Sequence, residues 1–137
     1  MKDKALNVRV VISREQDGDH ERNEYTGNLK EINNKLHVRF SDMQENGVKV
    51  DHLLKVSDIG MEWIRSDRGL KSKTTFMAGE VLPFLFSTHH GDINMQLVTE
   101  EFSYIKKDTH KISVSYSLKQ GDDIVSAYKT DIEIFNC

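Results

Sequence analysis

From Ile112 to Leu118 the chain reads Ile-Ser-Val-Ser-Tyr-Ser-Leu, apolar and small polar residues in strict alternation. Only a half-buried β-strand, whose successive side chains point to opposite faces, repeats with this period. The pattern returns at Val8, Val10 and Ile12, at Leu36, Val38 and Phe40, at Ile93, Met95 and Leu97, and at Tyr128, Ile132 and Ile134. Residues that tolerate positive φ or bond their own backbone fill the gaps, as in Gln16-Asp-Gly-Asp19, Asn33-Asn34, Asn46-Gly47, Asp67-Arg-Gly69 and Gln120-Gly-Asp-Asp123. The spacing predicts strands near 5–16, 21–31, 35–43, 48–57, 60–67, 70–78, 84–90, 92–103, 110–119 and 123–135. No stretch sustains helical periodicity.

Without helices to cover a sheet, the strands must cover each other, and nearly uniform hairpin spacing favours closure over a sandwich. The expectation is an all-β antiparallel meander closed into a β-barrel of about eight to ten strands, a single domain over 1–137. Pro83 lacks a ladder donor and belongs at a strand start or edge.

Composition narrows the function classes. The 137 residues are 37% hydrophobic and 30% charged, and 19 basic against 22 acidic side chains leave a net charge of −3. No global field favours nucleic acid or an anionic membrane. Charged Lys2, Asp3 and Lys4 precede any apolar run, and Pro83 interrupts the stretch from Val81 to Phe86, so neither a signal peptide nor a membrane span is expected. Cys137 is the one cysteine, which excludes an intrachain disulfide and a multi-thiolate zinc site and points to the cytoplasm.

If the larger apolar residues fix the inward parity, each strand declares which polar groups share that side. His52 falls among Val48, Val50, Leu54 and Val56, and Thr74 precedes Phe76. Phe86 and Thr88 share a face, as do Leu97 and Thr99. Tyr116 joins Val114 and Leu118, and Tyr128 and Thr130 precede Ile132. Hydroxyls, tyrosines and one histidine among aliphatic side chains suit a small-molecule pocket. The same groups suit a filled barrel whose hydroxyls bond one another, and an eight-stranded barrel is just wide enough for either.

Other polar residues point elsewhere. His89 and His90 are adjacent, so on a strand they diverge and cannot share a metal ion; they read as turn residues, and no metal or other cofactor is expected. His20, His37 and His110 read as surface residues, and the pairs Glu100-Glu101 and Asp122-Asp123 as solvated carboxylates. No phosphate loop, nucleophile elbow or dinucleotide fingerprint occurs, and the eight glycines read as turn residues. Arg65, Arg68, Lys71 and Lys73 form the one local basic cluster, read as a solvated hairpin. Trp63, of the same parity as Arg65, reads as a core residue or barrel-end plug. On the far side of the opening strand, Ser113, Ser115 and Ser117 form a face poor in charge that could meet another chain.

Arg68-Gly69, Phe76-Met-Ala-Gly79-Glu80, Phe86-Ser-Thr88-His-His-Gly91 and Thr99 resemble the pattern of the YwiB-like family, small bacterial proteins with a domain of unknown function. The first strand and the closing Tyr116-Ser-Leu118 and Ile132-Glu-Ile134 agree, so the resemblance spans nearly the whole chain. It implies a calycin-like, lipocalin-like β-barrel and carries no activity to transfer. His89-His90 departs from the more apolar dipeptide of that turn. The Arg-x-Tyr pair of intracellular fatty-acid carriers is missing, since Ser126 stands two positions before Tyr128.

These readings converge on a non-enzymatic cytoplasmic barrel that binds a small apolar or neutral ligand at His52, Thr74, Phe86, Thr88, Thr99, Tyr116, Tyr128 and Thr130. The alternatives are an enzyme using His52 or His90 beside a Tyr hydroxyl, and a homodimeric or protein-interaction module with a filled barrel.

Overall fold

The computed structural model describes residues 5–44, 47–88 and 90–136, with the backbone alone for 86–88. Asn46, His89 and Cys137, and the side chains of Phe86 and Thr88, lie outside the described residues.

Ten antiparallel strands form one sheet: β1 (Leu6–Gln16), β2 (Asp19–Ile32), β3 (Lys35–Met43), β4 (Lys49–Val56), β5 (Gly60–Asp67), β6 (Leu70–Met77), β7 (Val81–Thr88), β8 (Gly91–Lys106), β9 (His110–Gln120) and β10 (Asp123–Asn136). Their order is β6-β5-β4-β3-β2-β1-β10-β9-β8-β7. Every sequential pair except β6 and β7 is a hairpin, and β1 with β10 joins the two ends of the meander. The alternation therefore reports the strands faithfully. Boundaries shift by up to three residues: β8 runs on to Lys106, and β7 starts at Val81 and carries Pro83 inside it, tolerated because β7 is an edge strand.

The sheet curls into a nearly closed barrel whose seam lies between β6 and β7. Backbone bonds bridge the seam at one end, from Gly79 N to Thr99 O (2.9 Å) and from Thr99 N to Glu80 O (3.1 Å). There Phe76 of β6 also packs its ring 4.7 Å from that of Tyr116 on β9. The two edges are guarded by Lys71 and Lys73 on β6 and by Pro83 on β7, residues that discourage further strand pairing.

A β-bulge in β8 sets which of its side chains turn inward. Glu100 is an extra residue between the pairs Thr99↔Tyr116 and Glu101↔Ser115, so the parity of β8 flips and Phe102 and Tyr104, rather than Glu101 and Ser103, join the interior. Gly27 and Gly60 correct the reading of all glycines as turn residues. Gly27 lies inside β2, where a Cβ would collide with the Arg39 carbonyl oxygen, and at Gly60 a Cβ would stand 2.5 Å from Phe76 O. Close backbone approach, not turn geometry, demands glycine at both.

The interior is filled in one half only. Val8, Val10, Val38, Leu54, Val56, Ile112, Val114, Ile132 and Ile134 are all but inaccessible and form a continuous aliphatic core. Burying each such side chain contributes about 1.5–3 kcal/mol. Further along the same strands the inward residues become Ile12, Tyr25, Trp63, Tyr116 and Tyr128, which are only partly buried. The barrel is thus a cup, solid at one end and hollow at the other.

Candidate functional site

The hollow half holds a cavity of about 530 Å³ to which nearly every strand contributes a side chain. Of the residues read as lumen-facing, His52, Thr74, Tyr116, Tyr128 and Thr130 stand together on its wall. Thr99 does not. It keeps the inward register beside Tyr116 but is 1% exposed, off the cavity surface, and its Oγ1 has no protein partner among the described residues.

The wall also carries residues the sequence reading did not assign to it: Arg14, Tyr25, Phe40, Asp42, Trp63 and Arg65. Parity is the signal that finds them. Arg14 continues the inward series Val8, Val10, Ile12, and Arg65 continues Met61, Trp63. Trp63 is half-buried, packed against the core and on the cup wall.

Aromatic rings line the cup in two runs. On one wall Tyr25 stacks on Phe40 with centroids 4.9 Å apart, and Phe40 stacks on His52, its direct cross-strand partner, at 4.7 Å and 9°. His52 then meets Trp63 edge-on at 6.0 Å. The other run comprises Phe76, Tyr116 and Tyr128, with the two tyrosines, also direct cross-strand partners, 4.9 Å apart at 12°. Offset and edge-on pairs at these separations are the arrangements aromatic rings favour.

His52 is held in one tautomer. The indole Nε1–H of Trp63 donates to its Nδ1 at 3.0 Å. Because an indole nitrogen is a donor only, Nδ1 must be unprotonated and the neutral ring carries its hydrogen on Nε2. Burial lowers the His52 pKa below the ordinary histidine value and the Arg65 charge lowers it further, against Asp42 and Asp51, which raise it. Burial likewise raises the Tyr116 pKa, opposed by Arg14 and reinforced by Tyr128. The Tyr116 hydroxyl therefore stays protonated and the His52 imidazole neutral near neutral pH.

Charges gather at the mouth. Arg14 pairs with Glu21 at 3.4 Å, and Asp42 accepts a bond from Gln44 Nε2 at 3.1 Å. Beside them the wall is slit: β2 and β3 pair only between Gly27↔Phe40 and Ile32↔Lys35. Beyond that point β2 keeps β1 as its neighbour and β3 keeps β4, which opens a cleft past Tyr25 and Asp42.

The sequence expectation of a lumen histidine beside a tyrosine hydroxyl is not met at His52, whose ring neighbours are Phe40 and Trp63. A His–Tyr bond does occur at the solid end, where Tyr104 Oη lies 2.8 Å from His110 Nδ1. His110 is 6% exposed, which corrects its reading as a surface residue. The Glu100 bulge brings Tyr104 inward to stack on it. His90 is exposed in the turn before β8. The serine face is occupied from within, because Ser113 Oγ donates to Asp131 and Ser117 Oγ to Glu100, each at 2.6 Å. Among the described residues no three His, Cys, Asp or Glu side chains are grouped to hold a metal, and no helix is long and apolar enough to cross a membrane.

The fold is similar to the crystal structure of the YwiB protein from Bacillus subtilis, with a TM-score of 0.72 and 20% sequence identity over 100% of this chain and 94% of that one. At that identity the likeness is one of fold. No curated protein matches the chain. Residues 6–132 match the family described as a domain of unknown function, DUF1934, and the chain belongs to that family.

Proposed function

We propose that this protein is a calycin-like binding barrel that holds one small molecule in its hollow half and does no chemistry on it. The observation that carries the reading is the cavity of about 530 Å³, lined by aromatic and aliphatic side chains and, at its mouth, by the charged Arg14, Glu21, Asp42 and Arg65. Clefts of roughly 300–1,000 Å³ with aromatic and aliphatic walls are the usual form of small-molecule sites. A solid barrel would have continued the aliphatic series of Val8, Val10, Leu54 and Ile132 to the other end. Instead those positions hold Tyr25, His52, Tyr116 and Tyr128, side chains that offer both stacking area and hydrogen bonds.

Catalysis finds less support. His52 has its Nδ1 committed to Trp63 and, among the described residues, no carboxylate or hydroxyl bonded to orient it as a base. The cytoplasm suits a chain whose one cysteine forms no internal disulfide.

Native mass spectrometry of the protein purified from its own host tests the reading. The expected spectrum contains the chain plus one compound of a few hundred daltons, of the size such a cavity holds, released on denaturation. Bare chain that also takes up no compound from a host metabolite extract would overturn it. Bare dimer would favour pairing through the β6 or β7 edge, where Leu70, Val81 and Leu85 are exposed.

A further inference from the structure

We propose that the molecule held in the cup is a flat aromatic anion, its ring lodged between the two aromatic runs and its anionic group bound by Arg65 and His52 Nε2–H at the mouth. The proposal rests on the binding reading and specifies its ligand.

The shape argument comes from the walls. One run of rings spans β2 to β5 and the other spans β6, β9 and β10, so the two occupy different arcs of the barrel with the cavity between them. A planar ring entering that space meets π-faces and ring edges on both sides, where each aromatic pair adds about 0.5–1.5 kcal/mol beyond burial. A flexible alkyl chain would gain burial without those contacts.

The charge argument comes from which polar groups are already engaged. Arg14 is paired with Glu21, while Asp42 is bonded only to the neutral Gln44 amide and keeps its negative charge on the wall. Lys73 is turned outward onto Glu62 at 3.2 Å, and Lys71, opposite Ser66, shares that outer parity. Arg65 is the inward member of this basic hairpin, and among the described residues it has no carboxylate within ion-pairing distance. It is also the direct cross-strand partner of His52 on β4. The Trp63 bond leaves His52 with Nε2–H as its remaining donor, and no acceptor is bonded to it among the described residues. A guanidinium and an imidazole, carried by paired residues of adjacent strands, thus both line the aromatic cavity, both donors and one cationic. They match an anionic oxygen group, and Arg65 would repel a cation. Because Arg65 is exposed, the anion keeps part of its hydration and avoids the full cost of a buried ion pair.

Trp63, the only tryptophan, lines the cavity and reports occupancy directly. The test titrates two probes and follows Trp63 quenching: 1-anilinonaphthalene-8-sulfonate, and N-phenyl-1-naphthylamine, the same ring system without the sulfonate. The sulfonate is expected to bind one per chain and about ten-fold more tightly than the neutral probe, the worth of a charge-assisted hydrogen bond. Arg65→Gln should abolish that preference while leaving the neutral probe within about two-fold, and Lys71→Gln, on the outer face, should leave both probes unchanged. Equal affinity of the wild type for both probes, or equal effects of the two substitutions on the sulfonate, overturns the anion assignment and leaves the binding cup standing. If neither probe quenches Trp63, the cup itself is refuted.

Discussion

The two halves of this barrel are built from the same strands and differ first in what those strands turn inward. In the solid half Val8, Val38, Leu54, Ile112 and Ile134 pack into one aliphatic core, with Tyr104, bonded to His110, packed against it. In the hollow half the same strands send in Arg14, Phe40, His52, Tyr116 and Tyr128. Aliphatic side chains of similar size interdigitate and close the space, as interiors do at crystal-like density. Planar rings stacked along the wall at 4.7 and 4.9 Å stay beside it and leave the middle open. Close aliphatic packing and an open aromatic wall thus lie at opposite ends of one sheet.

Truncation breaks this comparison most severely. Leu54→Ala in the solid half removes a side chain with no exposure and should cost about 2–5 kcal/mol in chemical denaturation. Tyr128→Phe in the hollow half loses one hydroxyl, bonded at 3.1 Å by Ser126, and should cost under about 1.5 kcal/mol. Equal losses at the two positions would mean that the hollow half is as tightly packed as the solid one.

A smaller effect follows from protons, and it involves both ends. Burial lowers the pKa of His110, helped by Lys106 and opposed by Glu31, and burial and Arg65 lower that of His52 against Asp42 and Asp51. Both rings are neutral in the folded chain at pH values where the unfolded chain, with histidines near 6.5, already takes up protons. The unfolded state then binds more protons, so stability is full above about pH 7 and falls as the pH drops through and below about 6.5. Denaturation midpoints at pH 7.5, 6.5 and 5.5 should decline in that order, and His110→Gln should flatten the decline. A midpoint that rises on acidification would contradict the assignment of neutral, buried imidazoles.

The strands and their facing were legible because a period of two survives any twist or closure of the sheet. That is why His52, Thr74, Tyr116, Tyr128 and Thr130 stand where parity put them. Parity failed where the chain skips a beat: the extra residue Glu100 hid the inward turn of Tyr104, and with it the burial of His110. Gly27 was misread because a glycine demanded by backbone contact with Arg39 looks, in sequence, like one demanded by a turn. The seam between β6 and β7 left no mark, since the three-residue connection at 78–80 resembles that of any hairpin. Whether the barrel was filled or hollow was also hidden. That depends on how far each side chain reaches toward the axis, which parity does not encode.

The half-solid, half-hollow barrel is tested most directly by nuclear Overhauser contacts between a bound neutral aromatic probe, N-phenyl-1-naphthylamine, and the isotope-labelled protein. The expected cross-peaks run to the rings of Tyr25, Phe40, Trp63 and Tyr116, with none to the methyl groups of Val38, Val56 or Ile134. Contacts confined to exposed side chains such as Leu70 and Leu85, with those rings silent, would contradict the cup and place the probe on the outside of a filled barrel.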